Sequence, residues 1–245
     1  MTARDIWFYV VFTAQTAQCG ARAMLSAVSG NPRGVEAMQR KWGHALVQAA
    51  AVDVQTEGAE YVDPRKPYVV LSNHTSGLDP LVLFAGMPIG FTYVAKSELL
   101  RIPVFGWIIG RTGAVFIDRG NAASARGTLS KAADRVRAGQ SVLVFPEGTR
   151  SLDGKVQEFK KGGFVLALEA QVDLLPVTII GAFESCPTGS NFAKPGKVIL
   201  RIHPPISTRG LGYEDRDALM ARAHAVIAGG FETAEAVPER DAEAA

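Results

Sequence analysis

A greasy run, Tyr68 to Ser72, ends abruptly in Asn73-His74, and Asp79 follows five positions after the histidine. Imidazole has an unperturbed pKa near ~6.5, so His74 can accept a proton at neutral pH. A carboxylate on its other ring nitrogen fixes the tautomer and stabilises the charged ring. Asp79 reaches back to His74 if the residues between them turn into a helix, and Gly77 eases that turn. Ser76 and Thr75 are nearby hydroxyls, but neither sits in a G-x-S-x-G elbow. The better reading is that His74 activates a hydroxyl brought by a substrate. The plainer alternative is a buried structural histidine bonded to Asp79. A catalytic zinc site would need a third protein ligand, and no H-E-x-x-H occurs. Asp118 and Glu147 are not placed by spacing to supply one, so no metal is expected.

Two further polar blocks carry anion chemistry. In GAVFIDRG, Gly113 to Gly120, Arg119 can offer a bidentate fork to a phosphate. A lone arginine there is also a common salt-bridge partner. In PEGTRS, Pro146 to Ser151, Glu147 and Arg150 bracket a Gly148-Thr149 turn. Backbone N–H groups, the Thr149 hydroxyl and the Arg150 guanidinium could converge there on one anion. Lys155, Lys160 and Lys161 add positive charge just downstream. Two arginines at adjacent strand ends would suit a phosphomonoester clamp. Glu147 would then pair with these cations, hold a glycerol hydroxyl or lock Arg150. Neither glycine-rich nucleotide fingerprint is present.

These blocks need a scaffold that brings strand ends together. Strands are predicted at 52–58, 68–72, 91–95, 114–117, 141–145, 174–180 and 198–202. Helices are predicted at 79–84, within 102–109, at 122–138 capped by Asn121 and closed by Gly139, at 162–170, and at 215–228 closed by Gly229-Gly230. Strands alternating with helices give an α/β fold with a mixed, largely parallel sheet flanked by helices. In such sheets ligands sit beyond the carboxyl ends of strands. Each of the three blocks, NHTSGLD, DR and PEGTR, follows a predicted strand at that end.

The chain has 245 residues, is 47% hydrophobic and carries a net charge of +2. The tail 231–245 holds Glu232, Glu235, Glu239, Asp241 and Glu243 against Arg240, which leaves the body basic. A basic body suits an anionic substrate or an anionic membrane surface, and the acidic, Ala-rich tail can equally be a solubility device, expected to be disordered. No nucleic-acid-binding signature occurs, so no nucleic-acid partner is expected. The 2 cysteines, Cys19 and Cys186, form no CxxC; a reducing compartment is the plain reading, with one disulfide formally possible. Residues 1–50 read as helical. Ile6 to Ala21 is uncharged and aromatic but too polar to span a bilayer. After a break at Gly30-Asn31-Pro32, Val35, Met38, Trp42, Leu46 and Ala49 recur at helical steps beside Arg40 and Lys41. Such a pattern fits a helix lying in a membrane interface or an ordinary core-packing helix; the density of Trp7, Phe8, Tyr9 and Phe12 favours the membrane. The organisation expected is a membrane-associating helical region at 1–50, an α/β domain at 51–230 and the acidic tail.

The sequence resembles the lysophospholipid acyltransferase family, and within it bacterial 1-acyl-sn-glycerol-3-phosphate acyltransferases. Asn73, His74 and Asp79 match its N-H-x-x-x-x-D block, GAVFIDR its second, FPEGTRS (Phe145 to Ser151) its third, and Leu175-Pro176-Val177 its fourth. AKSELLRIPVFGWIIGRTG, Ala95 to Gly113, also reads like the family, though a lysine is more usual where Ser97 stands. The match runs in order from about Tyr68 to Ile180. The resemblance implies direct transfer of a fatty acyl group from acyl-CoA or acyl carrier protein to the 2-hydroxyl of a lysophosphatidate, without a further cofactor. His74 would take the hydroxyl proton with Asp79 supporting it. Asn73, Lys96, Arg119, Glu147, Gly148, Thr149 and Arg150 would contact substrate. The protein would sit on the cytoplasmic face of the inner membrane, peripheral or monotopic. Leu81 to Phe84 and Ile102 to Ile109 are candidates for an acyl tunnel.

Other functions use the same residues differently. Another lysolipid, such as lyso-ornithine lipid, could be the acceptor. A serine hydrolase would use Ser76 with His74 and Asp79 but lacks the elbow. A non-catalytic membrane-binding module would have no use for His74, Asp79, Arg119, Glu147 and Arg150 gathered at strand ends.

Overall fold

The computed structural model describes residues 2–102, 105–110, 113–117 and 122–235. Arg119, Asn121 with its expected cap, and tail residues 236–245 lie outside the described residues. Helix α1 (Ala3–Val28) opens on a capping box between Thr2 and Asp5. Helix α2 (Pro32–Ala49) follows, with the Asn31 side chain accepting from the Gly34 N–H at 3.0 Å and Pro32 in the first turn. Gly30, at φ 67°, makes the reversal between them. The remaining order is β1 (Val52–Glu57), β2 (Val69–Ser72), α3 (Asp79–Gly86), β3 (Phe91–Lys96), α4 (Phe105–Ile109), β4 (Val115–Ile117), α5 (Ala122–Arg137), β5 (Ser141–Val144), α6 (Gly162–Ala170), β6 (Leu174–Ile180), α7 (Ala182–Ser185), β7 (Gly196–Ile202) and α8 (Arg216–Glu235).

The strands form one seven-stranded sheet in the order β1-β7-β6-β2-β5-β3-β4. Neighbours are parallel except at β6–β7, so β7 and β1 run against the rest. The expected mixed, largely parallel α/β sheet is therefore present. Strand periodicity explains the two layers. Tyr68 and Val70 face one core with Leu46 and Val47 of α2 and Leu81, Val82 and Leu83 of α3. Val69 and Leu71 face the other, with Ala132 and Val136 of α5, Phe164 and Leu166 of α6, and Ala223 and Ile227 of α8. With helices on both faces, β2 is buried at every position.

Three expectations differ from the structure. Strand β3 lies between β5 and β4, so the blocks carrying Arg150 and Arg119 do not follow adjacent strands. Gly229-Gly230 does not close the last helix, which continues to Glu235. Gly230 serves close approach instead: a Cβ there would stand 2.7 Å from the His203 ring, and Arg201 donates to the Gly230 carbonyl at 2.8 Å. The stripe on α2 turns inward, with Val35 and Leu46 buried and the Trp42 indole N–H donating to Thr16 of α1 at 3.0 Å. Both cysteines are free and buried. Among the described residues no helix is long and apolar enough to cross a membrane.

Candidate active site

His74 stands just beyond the carboxyl end of β2, near the centre of the sheet. Asp79 begins α3, and the turn between them brings the carboxylate back under the ring. His74 Nδ1 lies 2.8 Å from Asp79 Oδ2. The same oxygen accepts the backbone N–H groups of Thr75 and Ser76, each at 2.8 Å. Asp79 is fully buried, and its position and acceptor role are set by the helix start and these donors. With Nδ1–H directed at the carboxylate, Nε2 is left as the proton acceptor. The ring is only partly exposed, 18% for the side chain.

Ser76 is placed elsewhere. It is fully buried, its hydroxyl donates to the Cys186 carbonyl at 2.7 Å, and it accepts the Leu78 N–H at 3.1 Å. The hydroxyl holds two loops together rather than facing a reacting centre.

The loop after β5 supplies the other wall. Phe145 stacks on His74, ring centres 3.9 Å apart and planes 15° from parallel. Glu147 is buried, and its Oε1 accepts the His74 backbone N–H at 2.8 Å. Burial pushes its pKa up to about 7, with the Asp79 charge adding to the rise and backbone amides of His74 and Gln157 opposing it. Gly148 takes φ 75°, and Lys160 packs over it so closely that a Cβ would stand 2.9 Å from Nζ. Thr149 and Arg150 are exposed beyond this turn.

His74 opens into a cavity of about 780 Å³. Its polar lining comprises His74, Gly148, Thr149, Arg150, Lys160 and Lys96, with Thr16 of α1 and Gln39 of α2. Its apolar lining includes Cys19, Gly20 and Ala23 of α1, Met38 and Trp42 of α2, Phe84, Leu99, Ile108 and Ile109. A chamber lined by both cationic and apolar side chains suits an amphiphile with an anionic head.

The residues singled out in the sequence thus divide. His74, Lys96, Gly148, Thr149 and Arg150 line the cavity. Lys96 also pairs with Glu98 at 3.0 Å. Asp79 sits behind the histidine. Two expected substrate contacts are turned inward. Asn73 is fully buried and its amide exchanges two bonds with the Ile179 backbone, at 2.9 and 2.8 Å, which ties β2 to β6. Glu147 holds the backbone of His74 instead of a cation or a substrate hydroxyl. Of the tunnel candidates, Phe84, Ile108 and Ile109 line the chamber, while Leu81, Val82 and Leu83 belong to the core. The share of the wall made by α1 and α2, the Phe145 stack and the Lys160 contact were not anticipated. Only the cluster of lysines after Arg150 hinted at the last. Among the described residues, no group of three or more His, Cys, Asp or Glu side chains is gathered as metal ligands would be.

A histidine–aspartate pair at a strand end, beside an apolar chamber in a mixed α/β sheet, defines an acyltransferase-like architecture. Residues 53–180 match the family model described as Acyltransferase, and the chain belongs to that family. It is 36% identical over 171 residues to 1-acyl-sn-glycerol-3-phosphate acyltransferase alpha of Mus musculus, covering 69% of this chain and 60% of that protein. It is 34% identical to the 1-acyl-sn-glycerol-3-phosphate acyltransferase of Saccharomyces cerevisiae, covering 69% of this chain and 56% of that protein. The chain thus spans about 60% or less of the length of these relatives. The crystal structure of the 1-acyl-sn-glycerophosphate (LPA) acyltransferase PlsC from Thermotoga maritima superposes with a TM-score of 0.84 at 29% identity, covering 97% of each chain.

Proposed function

We propose that this protein transfers a fatty acyl group from the thioester of coenzyme A or acyl carrier protein to the sn-2 hydroxyl of 1-acyl-sn-glycerol-3-phosphate, giving phosphatidate. The observation that carries this reading is the His74–Asp79 pair at a chamber whose lining combines cationic and apolar side chains. The relatives' shared activity supports it.

In this mechanism Asp79 holds His74 with Nδ1–H pointing inward, and Nε2 accepts the proton of the acceptor hydroxyl. The oxygen attacks the thioester carbonyl, a tetrahedral intermediate forms, and the C–S bond breaks. The departing sulfur takes the proton from Nε2, which regenerates the neutral imidazole and leaves a free thiol. No acyl-enzyme is involved, which accords with the buried, bonded hydroxyl of Ser76. Arg150, Thr149 and Gly148 receive the phosphate of the acceptor, together with Arg119. Lys96 and Lys160 extend the positive mouth toward it or toward the acidic donor. The acyl chain occupies the apolar interior against α1 and α2.

The same reading seats α1 on a bilayer. Trp7, Val10, Ala14, Ala17, Ala21, Leu25 and Val28 are all apolar, all exposed, and spaced by three or four residues. They form one stripe roughly 30 Å long at 1.5 Å per residue. A helix that presents such a stripe outward and forms the chamber wall with its other face would lie in the interface. This supports a peripheral or monotopic protein, and the reading places it on the cytoplasmic face of the inner membrane, where lysophosphatidate would reach the chamber from the lipid.

The test is a panel of lysolipid acceptors with acyl-CoA and acyl carrier protein donors, read by mass spectrometry of the lipid product. Phosphatidate formation lost in His74→Ala supports the assignment. Equal acylation of a phosphate-free lysolipid, such as lyso-ornithine lipid, would move the acceptor to another class.

A further inference from the structure

Asp79 accounts for the ring of His74 but not for its backbone. The pairing of β2 with β5 ends at Leu71, opposite Val144, and with β6 at Ser72, opposite Val177. His74 therefore lies past the ladder, and its peptide groups find their partners elsewhere. Both come from the loop after β5. Glu147 Oε1 accepts the His74 N–H at 2.8 Å, and the Ser151 N–H donates to the His74 carbonyl at 2.8 Å. Phe145 of the same loop lies on the ring. Three points of one short segment thus fix the peptide and the plane of a single residue.

We propose that Glu147 is a positioning residue for His74, its side chain standing in for the strand partner that β5 no longer provides. This rests on His74 acting as the base. A substrate-binding role would need the carboxylate in the chamber, but Glu147 is 3% exposed and does not line the cavity. Gly148 and Lys160 stand on the lining instead. What the role requires is an acceptor oxygen at the right reach, not a negative charge. Burial, which raises the Glu147 pKa to about 7, agrees with a site that disfavours the charge. A slack His74 backbone would carry Nε2 away from the hydroxyl without touching either substrate, so the loss should fall on kcat.

The experiment compares Glu147→Gln, which keeps reach and an acceptor oxygen, with Glu147→Asp, which keeps the charge but is one methylene shorter. Full kinetics with acyl-CoA and lysophosphatidate should show Gln retaining a kcat at least about tenfold above that of Asp, the scale of one lost hydrogen bond. KM for lysophosphatidate should stay within about twofold of wild type in both, since no phosphate or glycerol contact is removed. Glu147→Met, similar in length without the acceptor, should resemble Asp and takes its place if Asp does not fold. A kcat for Asp or Met equal to or above that of Gln overturns the proposal, as does a rise in KM with kcat retained. His74→Ala measured alongside separates the failures. Turnover surviving in His74→Ala removes the base and the positioning role together. An inactive His74→Ala with a pure KM effect at Glu147 removes only the latter.

Discussion

Phe145 lies flat against the imidazole of His74, with 3.9 Å between ring centres and 15° between planes. The contact restricts rotation of the ring about the axis that Asp79 leaves free. Phe145 follows β5 and His74 follows β2, and these strands are neighbours, so the stack is set by sheet register.

Activity should track the two contacts on the ring unequally. His74→Ala is expected to lower kcat by roughly 10²–10⁴-fold with the fold intact. Asp79→Asn should be similarly severe, because the amide can present the wrong group to Nδ1. Phe145→Leu should cost only about threefold to thirtyfold, the range of ~0.5–2 kcal/mol for a cation over an aromatic face. Steady-state kinetics paired with circular dichroism would check the ranking. Ser76→Ala should lose stability by about 1–3 kcal/mol through its buried bonds yet keep turnover per folded molecule. An acyl-serine trapped on the wild type would contradict direct transfer.

Arg150→Lys keeps the charge at the cavity mouth and loses the planar fork. The apparent KM for lysophosphatidate should rise about tenfold or more, or kcat/KM fall by that factor, while the donor KM changes much less. Wild-type preference for lysophosphatidate over a phosphate-free lysolipid should shrink in the variant. An unaltered preference ratio would place the phosphate elsewhere.

Glu147 makes stability depend on pH in a stated direction. Its folded pKa of about 7 lies above the ordinary 4.5. Below pH 4.5 both folded and unfolded chains hold the proton, and the group contributes nothing. Between 4.5 and about 7 the unfolded chain ionises while the folded one does not, so stability falls as pH rises, and the fall is complete above about 7. Glu147→Gln lacks this penalty. Its melting temperature relative to wild type should climb across that window by up to about 10 °C, at about 1.4 kcal/mol per pKa unit and roughly 2–4 °C per kcal/mol for a domain of this size. A difference that stays flat from acid to neutral pH would mean the carboxyl is not held in a desolvated site.

Membrane attachment should follow the outward stripe of α1 rather than the inward stripe of α2. Trp7→Ser combined with Leu25→Ser should weaken sedimentation with anionic liposomes several-fold, since five helical turns separate the two and both face one way. Melting temperature should hardly move, because Trp7 is 60% and Leu25 72% exposed. Unchanged liposome binding would remove α1 from the interface.

Much of this was legible because local patterns carried it. The apolar run of Val69, Val70 and Leu71 and the strand-end position of His74 require only short-range physics. The return of Asp79 to His74 is likewise a property of one turn and one helix start. Less legible were facts that depend on a distant partner. Nothing in Asn73 announces that its amide will clamp Ile179. Glu147 reads as one charge among several, and only the fold reveals that it is buried behind a histidine 73 residues away. The α2 stripe was ambiguous in principle, since a core face and a bilayer face have the same periodicity. Packing against α1 decides between them. Gly229-Gly230 resembled a helix stop because the sequence shows the glycines and not the His203 ring beside them.

Cys19 gives the chamber a built-in gauge. Cys19 lines the chamber, is 3% exposed, and has its thiol pKa raised by burial, so it reacts poorly. The rate at which a small alkylating reagent labels it would therefore read how readily the chamber interior is reached. An acyl chain filling the space should slow that labelling. Cys186, buried beside Ser76 and not on the cavity wall, provides an internal clock in the same molecule. Occupancy of the chamber could then be followed by mass spectrometry of two thiols, without a chromophore and without waiting for turnover.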